Sequence, residues 1–153
     1  MIRAGLIGAV TGFIYVMSLT LVSPFCTVCF TPFLGIGIGF MAGWFDKPLK
    51  AEVSLGKGTI AGGIAGAGVV IGQILAAFVN GVLVTNSEEL PVLMREMGLS
   101  QLVINDAEYW QATLTLNSFC SIFNLALVVG LAAVGSMIWF QRYNGSLAAA
   151  SSQ

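Results

Sequence analysis

The stretch that most constrains this chain runs from Gly56 to Thr85 and reads GKGTIAGGIAGAGVVIGQILAAFVNGVLVT, with no charged side chain after Lys57. Its first seventeen residues include seven glycines, a density that weakens a helix in water. In lipid, small residues let neighbouring helices approach closely, and the backbone must satisfy its own hydrogen bonds. A helix over Thr59–Thr85 would be about 40 Å long, enough to cross a bilayer with some tilt. The stretch therefore predicts a transmembrane helix on which the other spans pack.

The composition supports the same conclusion. The chain has 153 residues, of which 57% are hydrophobic and 8% are charged, whereas a soluble domain averages about 25% charged residues. We therefore expect an integral membrane protein whose main partner is the lipid bilayer. The net charge of −1 argues against a nucleic-acid partner. Histidine is absent, which argues against a zinc or haem site, so we expect no metal and no cofactor.

The hydrophobic pattern predicts an all-α fold, a four-transmembrane-helix bundle that forms a single membrane domain over residues 1–143. The four expected spans cover residues 4–21, 28–45, 59–85 and 111–140. The hydrophilic segment 86–109 is expected to be an extracytoplasmic loop that contains a short interfacial helix, and residues 144–153 are expected to be a flexible cytoplasmic tail.

The distribution of basic residues predicts the orientation in the membrane. When the N-terminus is placed inside, five of the six basic residues are cytoplasmic and only Arg95 is outside. The five are Arg3, Lys47, Lys50, Lys57 and Arg142. We therefore expect a multi-pass protein of the cell (inner) membrane with both termini in the cytoplasm.

Glycines recur every four residues on spans two and three, which places them on one face of each helix. They are Gly35, Gly39 and Gly43 on span two, and Gly58, Gly62 and Gly66 on span three. A short loop joins these antiparallel spans, so we expect the two glycine faces to pack against each other.

Polar side chains recur at helical spacing further along the chain. They are Gln73 and Asn80 on span three, and Asn117, Cys120 and Asn124 on span four. If both spans are centred in the bilayer, Gln73 lies level with Asn124 and Asn80 with Asn117. This seam is interpreted either as hydrogen bonding between the helices or as the lining for a small neutral solute or a cofactor headgroup. The expected spans contain no acidic or basic side chain, which argues against an ion-coupled transporter.

Cys26 and Cys29 form a CxxC motif, which the predicted topology places outside the cytoplasm, where a disulfide is permitted. The pair could exchange thiols and disulfides, with the helix N-terminus lowering the pKa of Cys26. It could equally be a buried pair of small residues or a static disulfide in a tight turn. A metal would need two further ligands, of which Cys120 supplies at most one.

The order of spans and loops, together with Cys26-Thr27-Val28-Cys29, resembles the quinone-linked membrane oxidoreductases that reoxidise periplasmic disulfide donors. This resemblance implies catalysis by Cys26 and Cys29 with a quinone as cofactor. That family carries a second cysteine pair in its long loop and an arginine near the quinone, whereas residues 86–109 contain no cysteine and the cytoplasmic loop contains lysines.

The motifs CTVCFTP and VSLGKGTIAGGIAGAGVVIGQI resemble those of small uncharacterised four-span prokaryotic membrane proteins over about residues 23–75. This resemblance implies a family but no activity. The leading hypothesis is a non-catalytic scaffold or a small subunit of a larger membrane assembly, formed with other membrane subunits or by self-association. The alternatives are a thiol-disulfide oxidoreductase and a passive small-solute facilitator.

Overall fold

The computed structural model describes residues 1–22, 27–86 and 106–150, and these residues form four α-helices in an all-α fold. The helices are α1 (Ile2–Val22), α2 (Thr27–Asp46), α3 (Ala51–Asn86) and α4 (Asp106–Ala150). Among the described residues, three helices contain stretches that are long and apolar enough to cross a membrane: Ile2–Leu19, Ala51–Val79 and Leu114–Asn144. The chain is therefore a helical membrane protein. The interfacial helix predicted within residues 86–109 falls outside the described part of the chain.

All four helices extend beyond the expected spans, α1 and α2 by one or two residues at each end and α3 and α4 by more. Helix α3 begins at Ala51, eight residues before the expected start, so the connection from α2 is only residues 47–50. Lys47 adopts a left-handed conformation there, with φ of 39°, and ends α2. Helix α4 has 45 residues, which makes it about 68 Å long. It continues through Ala150 where we expected a flexible tail, because the alanines and leucine after Gly145 favour helix.

The four helices pack in the order α1, α3, α4 and α2 around the bundle. Helix α3 makes extensive contacts with α1 on one side and with α4 on the other, and α2 packs mainly on α4. The contact between α1 and α2, which would close the ring, is much smaller. Helix α3 therefore holds α1 to the rest of the bundle. The contact between α1 and α2 is the smallest of those between neighbouring helices, and we call this the weakest side of the bundle.

The glycine faces of α2 and α3 converge on α4 instead of on each other. A Cβ atom at Gly39 would overlap the backbone carbonyl of Ala132, and one at Gly58 would lie 2.6 Å from the same oxygen. A Cβ atom at Gly62 would lie 2.7 Å from the Cβ of Ala132. We expected the two glycine faces to pack directly on each other. Instead, both helices pack against Ala132, because its side chain is small enough to let them approach closely.

The remaining predicted glycines also face α4. Gly35 lies against the backbone of Val128, Gly43 lies against the ring of Trp139, and Gly66 faces the flexible side chain of Leu125. A second set of glycines joins α3 to α1: a Cβ atom at Gly72 would lie 3.0 Å from the carbonyl oxygen of Phe13. Helix α3 therefore uses small residues on two faces.

We expect Gly62→Leu to destabilise the extracted protein by about 1–3 kcal/mol or more, because the added side chain meets the backbone of Val129 as well as Ala132. The matched control is Gly63→Leu, since no atom lies within 4 Å of a Cβ at that position. Thermal unfolding in mild detergent measures both. Equal melting temperatures for the two variants would contradict the close approach of α3 and α4.

Candidate functional site

A reciprocal hydrogen-bonded pair fixes how α3 and α4 lie along each other at one end of the bundle. The Ser136 hydroxyl donates to the backbone carbonyl of Ser54 at 2.5 Å. The Ser54 hydroxyl lies 3.0 Å from the Ser136 carbonyl oxygen and 2.7 Å from the Ser136 hydroxyl. Both side chains are fully buried. Because the partners are 82 residues apart in sequence, the pair joins the two long helices directly.

The same register continues along the whole contact between α3 and α4. In each facing pair the two residue numbers add up to 190 or 191. The pairs are Ser54 with Ser136, Gly62 with Val129, Gly66 with Leu125, Gln73 with Asn117, and Gly81 with Trp110. The expected pairing of Gln73 with Asn124 is therefore wrong by two helical turns. The error came from centring both spans in the bilayer, whereas the packing of small residues sets the register.

The buried polar side chains consequently have different partners from those expected. The Asn117 amide donates to the backbone carbonyl of Gln73 at 3.4 Å, and the Thr31 hydroxyl donates to Asn124 Oδ1 at 3.4 Å. Both distances are longer than the usual 2.9–3.0 Å. Asn124 thus faces α2 instead of Gln73. The side chain of Asn80 lies outside the described part of the structure.

We call Thr31, Gln73, Asn117, Ser121 and Asn124 the polar layer. Asn117, Ser121 and Asn124 share one face of α4 because they are spaced by four and three residues. Gln73 is 3% exposed, Ser121 is 7% exposed and Asn124 is fully buried. Gln73 Oε1, Ser121 Oγ and Asn124 Nδ2 form no hydrogen bond with any of the described residues. An unsatisfied buried group costs about 1–3 kcal/mol, so each of these atoms would gain from a hydrogen-bonding partner.

Sequence reasoning missed two members of this layer. Ser121 lies one helical turn after Asn117, and that spacing could have identified it. Thr31 belongs to a different helix, and nothing in the sequence places it beside Asn124. The predicted Cys120 is half-buried with a free thiol on the neighbouring position of α4.

The aromatic residues of α4 show where the polar layer lies along the axis of the bundle. Trp110 packs on Gly81 and lies 6.3 Å from Phe78 between ring centroids, and Trp139 stacks on Tyr143 at 4.7 Å. The two tryptophans are about 44 Å apart along α4, which matches a bilayer with its headgroup regions, about 40–45 Å. Asn124 lies halfway between them along α4, so the polar layer lies in the half of the helix nearer Trp110.

The end of the bundle near Trp139 carries a cluster of charges. Asp46 at the end of α2 forms ion pairs with the Met1 amine and with Lys57, whose Nζ lies 3.5 Å away. The hydrogen bond from the Met1 amine lowers the pKa of the Asp46 carboxyl, and the charge of Lys57 acts in the same direction against the effect of burial. This carboxylate therefore links the ends of α1, α2 and α3.

The cysteine motif lies largely beyond what the structure describes. Cys26 is outside the described residues, and Cys29 lies in α2 but its side chain is not described. The oxidoreductase interpretation of these two residues stays a prediction. Among the described residues, no group of three or more histidine, cysteine or acidic side chains is placed to hold a metal ion.

Comparison with known proteins adds no relative: no protein-family model matches the chain, and no curated protein or solved structure matches it significantly.

We expect the thermal stability of the detergent-solubilised protein to decrease as the pH falls below the ordinary Asp46 pKa of 3.8. Folding lowers this pKa, so the ionised carboxylate stabilises the protein above that value and the contribution is lost as the pH falls through the lower pKa of the folded state. The Asp46→Asn variant should lose less stability than wild type over this range. Glu52→Gln, which changes a carboxylate that forms no ion pair with the described residues, is the control. Parallel pH profiles for wild type and Asp46→Asn would refute the linkage.

Proposed function

We propose that this protein is a non-catalytic four-span membrane protein that acts as a scaffold or small subunit of a larger membrane assembly. The observation that carries the proposal is the chemistry of the polar layer, which contains amides and hydroxyls but no titratable side chain. General acid–base catalysis needs a group that exchanges protons. Ion-coupled transport usually needs a charged or titratable group within the membrane. The layer suits neither, and the close packing around it suits a rigid structural unit.

Helix α4 supports a role in assembly because it is longer than its packing partners. Trp139 lies against Gly43 near the end of α2, and α4 continues from there to Ala150. The overhang is about 17 Å long. The last turns of a helix fray in water unless a tertiary partner packs on them. A neighbouring subunit that packs on residues 141–150 would supply one.

The charged residues support an orientation with this overhang in the cytoplasm. The end of the bundle near Trp139 carries Arg3, Lys47, Lys50, Lys57 and Arg142. The positive-inside rule places such an end in the cytoplasm of the inner membrane. With four spans, both termini would lie on that side.

A photo-crosslinking amino acid at exposed Gln141 should give one dominant crosslinked protein in native membranes if the overhang binds a partner. The same amino acid at exposed Leu116, which is far from the overhang on α4, is the matched control. Truncation after Asn144 should abolish the crosslink and leave the melting temperature of the bundle within about 2 °C, because Trp139, which packs on Gly43, lies before the deleted residues. A lone monomer by native mass spectrometry with no crosslink at Gln141 would refute the subunit proposal.

A passive facilitator of small neutral solutes is a second candidate, and the three unpartnered polar atoms of the polar layer favour it. Gln73 Oε1 can accept a hydrogen bond, Asn124 Nδ2 can donate one, and Ser121 Oγ can do both. A small solute with a hydroxyl or an amide would satisfy all three in turn.

Stopped-flow swelling of proteoliposomes in glycerol or urea tests the facilitator. We expect Gln73→Leu to reduce the protein-dependent flux about tenfold if the layer conducts, because the substitution removes an acceptor within the path. Ser118→Ala is the control, since the Ser118 hydroxyl bonds to its own helix at the Leu114 carbonyl. Wild-type flux no greater than that of protein-free liposomes would exclude this function.

A further inference from the structure

A groove separates α1 from α2 on the weakest side of the bundle. It contains two adjoining cavities of about 150 and 190 Å³. Thr11, Phe33 and Leu34 line both cavities, so the two form one continuous depression. One end reaches Tyr15 and Phe30, and the other reaches Gly8 and Met41.

The groove covers one half of the membrane. Phe30 is next to Thr31, whose contact with Asn124 places it level with the midpoint between Trp110 and Trp139. From Phe30 to Met41 the groove runs about 17 Å along α2 towards the charged end. Half of the hydrocarbon core is about 15 Å thick. The groove therefore matches the depth of a single leaflet.

The groove remains open because Gly37 lacks a side chain. No atom lies within 4 Å of the position that a Cβ would occupy at Gly37, and this residue lines the larger cavity. Most glycines of α2 are in close contact with α4, whereas Gly37 faces the groove. Phe33, which is 71% exposed, forms its rim.

Positive charge and an aromatic pair lie beyond the Met41 end of the groove, which we call its inner end. Trp44 is one turn after Met41 on the same face of α2, and its ring stacks on Phe45 at 5.4 Å. Arg3 on α1 and Lys47 after α2 are exposed at this level, and neither forms an ion pair with a described residue. Asp46 at the end of α2 is already paired with the Met1 amine and Lys57. This end is therefore complementary to an anion.

We propose that the α1–α2 groove binds an anionic phospholipid from the leaflet at the charged end. One acyl chain would fill the groove from Met41 to Phe30, and the phosphate would lie near Arg3 and Lys47, with the indole N–H of Trp44 as a further donor. The site does not depend on the assembly role or on solute passage through the polar layer. A helix from a second copy would also cover apolar surface, but it would not use the unpaired cations at the inner end.

Native mass spectrometry of the full chain in detergent, titrated with phosphatidylglycerol or phosphatidylcholine, tests the site. Wild type should retain one phosphatidylglycerol preferentially. Gly37→Leu places a side chain in the groove where a Cβ meets no atom within 4 Å, and it should weaken phosphatidylglycerol binding by about tenfold or more because acyl-chain burial is lost. The matched control is Gly130→Leu, since Gly130 on α4 also has no atom within 4 Å of a Cβ and lies outside the groove lining.

The cations give a second test that does not depend on how Gly37→Leu folds. Arg3→Gln and Lys47→Gln should each weaken phosphatidylglycerol binding about fivefold and leave phosphatidylcholine binding unchanged. Arg142→Gln, at the same end of the bundle but on α4, should have little effect on the bound lipid.

Equal binding of the two lipids to wild type, or equal effects of Gly37→Leu and Gly130→Leu, would overturn the proposal. A second result would also overturn it: the wild type is a dimer, and Gly37→Leu converts it to a monomer without changing the bound lipid. In that case a second copy of the chain, and not a lipid, would occupy the groove.

Discussion

The bundle depends on how closely three helix backbones approach one another at Ala132. Hydrophobic driving force between helices is weak in lipid, so association relies on packing and on hydrogen bonds between helices. Gly39 from α2 and Gly58 and Gly62 from α3 meet α4 at this residue, where a single added Cβ would overlap existing atoms. Helix α1 is attached through the opposite face of α3. Its edge against α2 therefore lacks equivalent support, and the open groove is the consequence.

The same packing decides which polar groups find partners. The Ser54–Ser136 pair and the glycine contacts fix α3 against α4 in the half of the bundle near the charged end. This register also determines the positions of the polar side chains in the other half of the bundle. Asn117 donates to the backbone of Gln73, and the Gln73 side-chain oxygen has no hydrogen-bond partner among the described residues. A bundle optimised for its polar contacts alone would have shifted by two turns and lost its small-residue packing.

The sequence predicts the membrane class and the helical fold because hydropathy and the absence of charge act locally along the chain. Periodicity also identifies the glycine faces of α2 and α3. It gives the direction of a face relative to its own helix, however, and does not name the helix opposite, so the convergence of Gly39 and Gly62 on α4 could not be deduced. The register of Gln73 failed for a related reason: it depends on where small side chains of two distant segments fit together, and hydropathy carries no information on that fit.

The charges near Trp139 are divided between two physical roles. Asp46 forms ion pairs with the Met1 amine and Lys57 and so ties together the ends of three helices. Arg3 and Lys47 form no ion pair with a described residue. Leaving them unpaired retains positive charge at the membrane surface, where anionic lipid is attracted. The groove opens between α1, which carries Arg3, and α2, which Lys47 follows, so the cations that support the proposed orientation would also attract the proposed lipid.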